Sequence, residues 1–447
     1  MIRHDTPLDV ARVLTNWVPN QARTLLDPSV GTGALLTPII TRNNSKLERV
    51  VAVDRDKLAV ESVKVLFRQL ETPSLLPVCA DFLDWSIPKN AAPEAGFDCV
   101  LMNPPFDART KVTVAVPGPA SRPAHLEHSA PLEVAFVLKA VACTRPKGRV
   151  VAILPGSVIS GETTKWLRDH LLRIGSFLYV HELPSFTFPD VESRVYLVAF
   201  EKTACYEEIV LCNHSLMNPD RLTITSSALG AELRLDYEFH EAARWSGHLQ
   251  SVVPDAGWVT FGSLAELRRG GRPDTKIATA IHSTAYRKGF WLSPPTRSRK
   301  GGTESGVQTS DLLIRRVGRK CAESLGTVIG LGAVEWTDCV IRVRPRRPSE
   351  AVRLLFAVRP LLGTRLGQRL VQRGSGATYL TVRDLTSLRV PSNLAEVFPR
   401  QFVAYRAAVA ERQYGRMLEV EEEVRTLFAA FPRAELPKAR MPVHRSG

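Results

Sequence analysis

The run Asn103-Pro104-Pro105-Phe106 follows the apolar stretch FDCVLM (97–102) with an amide, two prolines and an aromatic ring. Asn103 offers a side-chain carbonyl. Pro104 has no N–H to donate, so its backbone carbonyl is a plain acceptor, and the paired prolines stiffen the chain so that both oxygens converge. Two fixed acceptors suit an –NH2 group. They draw its nitrogen from planar conjugation towards tetrahedral geometry, which exposes a lone pair for attack. Phe106 supplies a face for stacking. The alternative is an ordinary Asn-Pro turn.

Three apolar runs upstream each end in an acid. In LLDPSVGTGALL (25–36), Asp27 and Pro28 lead into a turn bearing Gly31 and Gly33. Glycines there let a ligand approach the backbone and permit positive φ. Asp27 can order the turn or accept from an ammonium group. The stretch is not a GxGxxG fingerprint and has no P-loop lysine; a tight turn without a ligand is the rival. Asp54 ends VVAVD, where an acid can hold two ribose hydroxyls. Asp81 and Phe82 follow the next run; an acid can accept from an adenine amino group and an aromatic can pack on its ring. Each alone could be a helix cap or a core residue. Together, three acids at successive strand ends point to one nucleoside crevice in a doubly wound sheet.

The elements that must hold these residues are legible between 22 and 200. RTLLDP, RVVAVD, SLLPVCAD, FDCVLMNPP, GRVVAILP, FLYVHEL and SRVYLVAFEK read as strands. DKLAVESVKVLFRQL and PLEVAFVLKAVACT carry apolar residues at helical period. This alternation predicts an α/β fold with a mainly parallel, doubly wound sheet. The last two strands are expected to pair antiparallel at an edge. Residues 107–130, rich in Pro, Ala and basic residues, read as a long inserted loop, functional or disordered. The expected organisation is a catalytic domain over 1–202, a connector over 203–257 with a helix around DYEFHEAARWSGHLQ, and a mixed α/β domain over 258–395. One long amphipathic helix over 396–432 and a disordered tail over 433–447 complete it.

Net charge is +14 over 447 residues, and it is not spread evenly. From Leu264 to Gly376 there are 22 Lys/Arg against 8 Asp/Glu, so the whole surplus falls in that block. Such a bias attracts a polyanion, most commonly nucleic acid, with a merely soluble basic surface as the alternative. The seven cysteines form no CxxC pair and no zinc-ligand spacing. They read as reduced thiols of a cytoplasmic protein. The opening MIRHDTPLDVARVL lacks the apolar core of a signal peptide. No apolar run approaches the ~18 residues that span a bilayer, so no membrane partner is expected.

The order of these motifs resembles the S-adenosylmethionine-dependent amino-methyltransferases. DPSVGTGALL, AVD, ADF and NPPF together are similar to the γ-class DNA N6-adenine methyltransferases of restriction–modification systems, over residues 1–202. The resemblance implies a Rossmann-like methyltransferase sheet and S-adenosyl-L-methionine as cofactor. It implies that Asp27 and Gly31 hold the methionine part, Asp54 the ribose, and Asp81 with Phe82 the adenine. TPLDVARVL resembles the family's amino-terminal motif, so Thr6 and Pro7 would close over methionine. PKGRVVAILPGSVI is similar to the family's later supporting strand. LPSFTFPDVESRVYLVAFEK is similar to the last catalytic-domain motif, which sets Phe188 opposite Phe106 across a flipped base; Phe186 competes for that place. Val30 stands where many relatives have Cys or Ala.

GWVTFGSLAELRRGGRP and LVQRGSGATYLTVRDLTSLRVP resemble target-recognition domains of type I specificity subunits, over 258–395, and the final helix resembles their helical spacer, with a plain packing helix as the alternative. By that likeness double-stranded DNA is the partner. Arg268, Arg269, Arg272, Arg315, Arg316, Arg319, Arg369 and Arg373 would meet phosphates, a few reading guanine edges. Arg109 and Lys111 would contact DNA or close over the site. No metal is implied. No nuclease motif is found apart from the unconvincing pair Pro189-Asp190 and Glu201-Lys202, so a restriction endonuclease would be a separate chain. The runners-up are an RNA base or a protein glutamine amide as acceptor, since both present a planar –NH2.

Overall fold

The computed structural model describes residues 6–429 except 43–45, 69, 88–95, 108, 119–124, 185–186, 189–193, 204–205, 253, 273–279, 293–305, 331–334 and 375–377. Phe186 and the tail after 433 thus lie outside the described residues. Two compact units divide the chain, with the boundary between Tyr237 and Glu238.

The first unit is built on one nine-stranded sheet. In chain order its strands are β1 (Thr24–Asp27), β2 (Arg49–Asp54), β3 (Ser74–Cys79) and β4 (Phe97–Met102). After a separate hairpin of β5 (Lys111–Pro117) and β6 (His125–Pro131) come β7 (Thr144–Pro155), β8 (Gly175–Glu182), β9 (Val195–Lys202), β10 (Glu208–Cys212) and β11 (Arg221–Thr225). The spatial order is β11-β10-β8-β9-β7-β4-β1-β2-β3. Strands β3, β2, β1, β4 and β7 run parallel. The chain therefore reverses its direction of winding between β1 and β4, and a crevice opens beyond their carboxyl ends.

Alternate residues explain why both faces are covered. Leu26, Val51, Val53, Val100 and Met102 enter a core shared with the helix Leu132–Cys143. Leu25, Val50, Ala52, Cys99 and Leu101 enter the opposite one, with Val63 and Phe67 of the helix Lys57–Phe67 and Val10 and Leu14 of the helix Leu8–Thr15. This two-residue alternation into two cores is what a doubly wound sheet demands. Pro77 sits in β3, which among the described residues pairs only with β2. Proline tolerates that place because an edge strand has a side with no ladder bonds to lose.

Three expectations are corrected here. Strand β9 does pair antiparallel with β8, but it lies inside the sheet between β8 and β7. Its run VYLVAF is buried throughout, and an edge would leave half of it in water. Residues 107–130 are not a loop: β5 and β6 pair antiparallel from Lys111↔Pro131 to Pro117↔His125. The alternation in KVTVAV was the overlooked signal. Residues 203–257 are not a plain connector. Strand β10 pairs parallel with β8 and β11 antiparallel with β10, which extends the sheet by two strands. The helix expected near 237 is present as Tyr237–Val252.

In the second unit, β12 (Trp258–Thr260) pairs with Arg389–Pro391. A six-stranded mixed sheet is formed by β13 (Ala265–Arg269), β14 (Tyr286–Arg287), β15 (Phe290–Leu292), β16 (Leu312–Arg315), β17 (Gly326–Ile329) and β18 (Val340–Pro345). Its order is β13-β18-β16-β17-β15-β14. The helix Ala351–Leu362 packs with it into one core.

The long terminal helix expected over 396–432 is two helices, Pro399–Ala410 and Tyr414–Ala429. Arg412 takes φ +58°, and the Gln413 N–H reaches back to Ala408 O at 2.8 Å. That is the helix-ending hydrogen bond normally seen with glycine at the left-handed position. No glycine marks it here, so the sequence reads through. Both helices bury side chains in the unit's core: Tyr405 and Ala408 from one, Met417, Val420 and Val424 from the other. That is the packing role weighed against a spacer. Glu421 accepts from Arg359 Nε at 2.6 Å and from Tyr405 Oη at 2.8 Å, all three being buried.

Candidate active site

A cavity of about 440 Å³ lies at the carboxyl ends of β1, β2 and β4, the place the strand order leaves open. Its wall includes Asp54, Asp81, Phe82, Asn103, Phe106 and Phe188. Thr6, Pro28, Gly31, Pro104 and Pro105 also line it. Residues from six separate stretches of sequence therefore meet in one chamber. Of the other expected site residues in this unit, Pro7, Asp27, Gly33, Arg109 and Lys111 do not line it.

The glycine turn is held by acids. Gly31 and Gly33 have φ of +57° and +83°, which a side chain would strain. A Cβ on Gly33 would also come within 3.1 Å of Leu66. Asp54 accepts from Gly31 N and from Asp56 N, each at 2.9 Å, so its carboxylate ties the end of β2 to the turn. Asp27 accepts from Ser29 N at 3.1 Å. Its other oxygen is buried without a hydrogen-bond partner. Burial, with Asp54 nearby, pushes the Asp27 carboxyl up to about 8. It stands behind the cavity rather than in its wall.

Asn103 lies one residue past β4. Its Nδ2 donates to Thr6 Oγ1 at 3.0 Å, which turns the amide oxygen to the opposite side. Its backbone carbonyl accepts from Ser29 Oγ at 3.0 Å. Farther on, Asp107 accepts from Arg109 N, Thr110 N and Thr110 Oγ1, and these bonds hold its carboxyl below the usual range. Phe106 and Phe188 belong to the same apolar cluster, and Phe188 is buried. Phe82 stacks at a tilt on Phe136, with ring centroids 5.2 Å apart. Lys139 Nζ lies 5.2 Å from the Phe82 ring and donates to Leu83 O and Trp85 O, which fixes the segment that carries Asp81 and Phe82. Asp81 itself is exposed and caps Leu83 N.

Sequence reasoning missed Ser29, Leu132 and Phe136 of the wall, and Glu133 beside it. Glu133 is 2% exposed, one oxygen has no partner, and burial raises its pKa although the Asp107 N–H bonds to it. The period of PLEVAF predicts a helix and nothing more. That its first turn would close the cavity depends on the hairpin returning the chain there.

The expected DNA-contacting arginines separate into groups. Arg373 is a correction. It is buried, with Nε and Nη2 on the two oxygens of Asp384 at 2.6 and 2.7 Å, so no phosphate reaches it. Arg369 is bound to Glu238 at 2.9 Å and to Glu241, a helix-to-helix clamp rather than an open contact. Arg315 donates to Ser283 O at 3.0 Å and lies 4.9 Å from the Tyr286 ring centre. Arg269 pairs with Asp338 at 2.9 Å, and Arg316 donates to Asp338 O at 2.6 Å. Arg268, Arg272 and Arg319 are exposed, as are Arg109 and Lys111 on the first unit. Exposure rather than residue type sorts the set.

Residues 4–223 match the family model described as N-6 DNA Methylase. A search of curated proteins finds an rRNA N(6)-adenosine-methyltransferase of Caenorhabditis elegans, 27% identical over 157 residues, which are 34% of this chain and 57% of that protein. The chain thus covers little more than half of that relative's length. Among solved structures, the type I restriction-modification system methyltransferase subunit from Streptococcus thermophilus aligns at TM-score 0.39 and 18% identity, over 51% of this chain and 52% of that one. The type IIG restriction endonuclease BpuSI aligns at TM-score 0.47 and 12% identity, over 94% of this chain and 65% of that one. No helix among the described residues is long and apolar enough to cross a membrane.

Proposed function

Residues 4–223 belong to the N-6 DNA methylase family, and from that premise we propose that the chain transfers a methyl group from S-adenosylmethionine to the N6 amine of an adenine in double-stranded DNA. The observation that carries this is the meeting of Asn103, Pro104, Phe106 and Phe188 with the Gly31 turn and Asp54 around one cavity.

The residues present fit the cofactor. A chamber of about 440 Å³ is within the range that small-molecule sites occupy. The Gly31 turn, fixed by Asp54, lets a ligand lie close to the backbone. Asp27 stands behind the chamber, buried with an unpartnered oxygen, and would act on a bound cation only through the turn it holds by Ser29 N. Asp54 would hold ribose hydroxyls, Asp81 and Phe82 the adenine, and Thr6 would cover the methionine end. The cofactor, when bound, supplies an electrophilic methyl group on a sulfonium.

This chain's own residues do the rest. A base inside a duplex hides its amine, so it must be extruded and held by stacking and edge hydrogen bonds. Phe106 and Phe188 would bracket it. The Asn103 side-chain carbonyl and the Pro104 backbone carbonyl would accept its two amine protons and aim the nitrogen lone pair. Leu132 and Phe136 add apolar surface to the wall, Phe136 beside Phe82. Catalysis then rests on orientation. The exposed arginines of the second unit, together with Arg109 and Lys111, would meet the DNA backbone, and a separate restriction endonuclease is the expected companion in such a system.

A second reading, an RNA adenine as acceptor, is favoured by the worm relative named for rRNA. One experiment separates them: tritiated cofactor with duplex DNA or RNA, followed by digestion to nucleosides. Label in N6-methyldeoxyadenosine is expected. Label in N4-methylcytosine, or in RNA alone, overturns the assignment.

A further inference from the structure

The two prolines that stiffen the amine-accepting segment also deprive it of anchors. Pro104 and Pro105 have no N–H, and the ladder bonding β4 to β7 ends at Met102↔Ala152. The main chain at residues 103–105 therefore cannot fix itself by donating at either proline. At the prolines themselves the main chain can be anchored only through a carbonyl that accepts.

Ser29 supplies a donor to the carbonyl just before them. Its Oγ lies 3.0 Å from Asn103 O, and a backbone carbonyl only accepts. Ser29 is itself held, because its N–H bonds to Asp27 Oδ1 at 3.1 Å and the neighbouring Gly31 N–H bonds to Asp54 Oδ2 at 2.9 Å. The side chain of Asn103 is pinned separately, through Nδ2 on Thr6 Oγ1 at 3.0 Å. Two hydroxyls from distant parts of the chain thus grip one residue, one by its main chain and one by its amide.

We propose that Ser29 is a positioning residue for methyl transfer, joining the glycine turn and the amine-accepting carbonyls of Asn103 and Pro104 into one rigid unit; this rests on the reading of the site as a methyltransferase centre. Without the Ser29 hydroxyl, the Asn103 carbonyl loses this anchor, and the Pro104 carbonyl one residue farther on is held less firmly in its direction. A displacement on the scale of an ångström is enough to reduce turnover ~100-fold. Cofactor contacts made by the turn backbone are untouched.

The test compares Ser29→Ala and Ser29→Thr with the unaltered full chain. It measures kcat and cofactor KM with duplex DNA, S-adenosylhomocysteine binding by calorimetry, and melting temperature. The expected result for Ser29→Ala is a ~10- to 100-fold fall in kcat, with S-adenosylhomocysteine affinity and melting temperature unmoved, and recovery in Ser29→Thr. Unchanged kcat in Ser29→Ala, while the unaltered chain methylates DNA, overturns the proposal and leaves the DNA reading standing. A parallel loss of kcat and S-adenosylhomocysteine affinity overturns it too, since Ser29 would then be a cofactor ligand. If the unaltered chain labels RNA or protein in place of DNA, the DNA reading fails, and the same kcat ratio on that acceptor decides the role of Ser29.

Discussion

Buried charge at the cavity of the first unit contrasts with buried charge in the core of the second, although away from the cavity the first unit also holds a buried pair, Arg234 on Asp236. In the first, Asp27 and Glu133 are carboxyl groups buried at or behind the cavity, each with an oxygen that has no hydrogen-bond partner. In the second, buried arginines meet carboxylates: Arg373 on Asp384, and Arg359 on Glu421. The first arrangement is costly unless a ligand or a proton relieves it, and it collects where binding happens. The second is satisfied as it stands and holds elements together. Sequence charge hides this contrast. Residues 238–437 carry 31 basic against 19 acidic residues, and the remainder of the chain 28 against 26. The count marks the second unit as basic, yet two of the arginines first assigned to DNA, Arg369 and Arg373, are engaged inside it.

The largest effect should come from breaking a satisfied pair. Asp384→Ala removes the carboxylate that faces the buried Arg373, and is expected to cost about 3–5 kcal/mol, as is Glu421→Ala beside Arg359. Urea unfolding of the full chain followed by a probe in the second unit measures it. A loss under about 1 kcal/mol would place these arginines with ordinary surface pairs.

In the first unit the decisive loss is of activity, not stability. Asn103→Ala should reduce transfer by about 10²–10³, roughly 3–4 kcal/mol of barrier, on the scale of removing one fixed hydrogen-bonding group from a reacting centre. Cofactor affinity should stay largely intact. Loss of both would make Asn103 a structural residue.

A smaller effect tests whether Asp27 is the strained group it looks to be. Its carboxyl is raised from 3.8 to about 8 by burial. A group that binds its proton more tightly when folded adds stability that is fully present below its unfolded value and is lost as pH rises through the folded one. The cofactor-free protein should therefore lose stability steadily between about pH 4 and pH 8. Asp27→Asn should flatten most of that slope in a series of melting temperatures, with Glu133 supplying part of what remains. An unaltered slope would remove Asp27 from the explanation.

The smallest structural effect is expected at the exposed arginines. Arg268→Ala, Arg272→Ala and Arg319→Ala should leave the melting temperature unmoved. Each should lower the slope of log affinity against log salt by about 0.9 if it neutralises one phosphate. Equal slopes in the variants and the unaltered chain would take the basic face of the second unit out of DNA binding.

Much of the first unit was legible because its signals are local. A strand that ends in an acid, a turn that needs glycine and a diproline after an amide are each fixed by a handful of neighbouring residues. That is why Asp54, Gly31, Asn103 and Phe106 could be named in advance, and all four line the cavity. Phe188 was reached through resemblance, since nothing in its own neighbourhood places it opposite Phe106. The hairpin at 111–131 was missed although KVTVAV alternates, because the prolines and basic residues around it read as a loop. Strand β9 was assigned to an edge because two short-linked strands usually pair as neighbours; the apolar run on both of its faces draws it inside. In the second unit, charge type was legible and charge partner was not.

Residue order alone determined the chemistry on offer: acids and glycines at strand ends, two stiffened carbonyl acceptors, aromatic faces and a basic block. Tertiary structure alone decided which of these groups meet. Ser29 reaches Asn103 across 74 positions, Thr6 reaches it across 97, and Asp384 takes Arg373 out of solvent. Local sequence sets the backbone conformations available within a few residues. Contacts made across the whole chain are chosen by burial, where a polar group without a partner is costly.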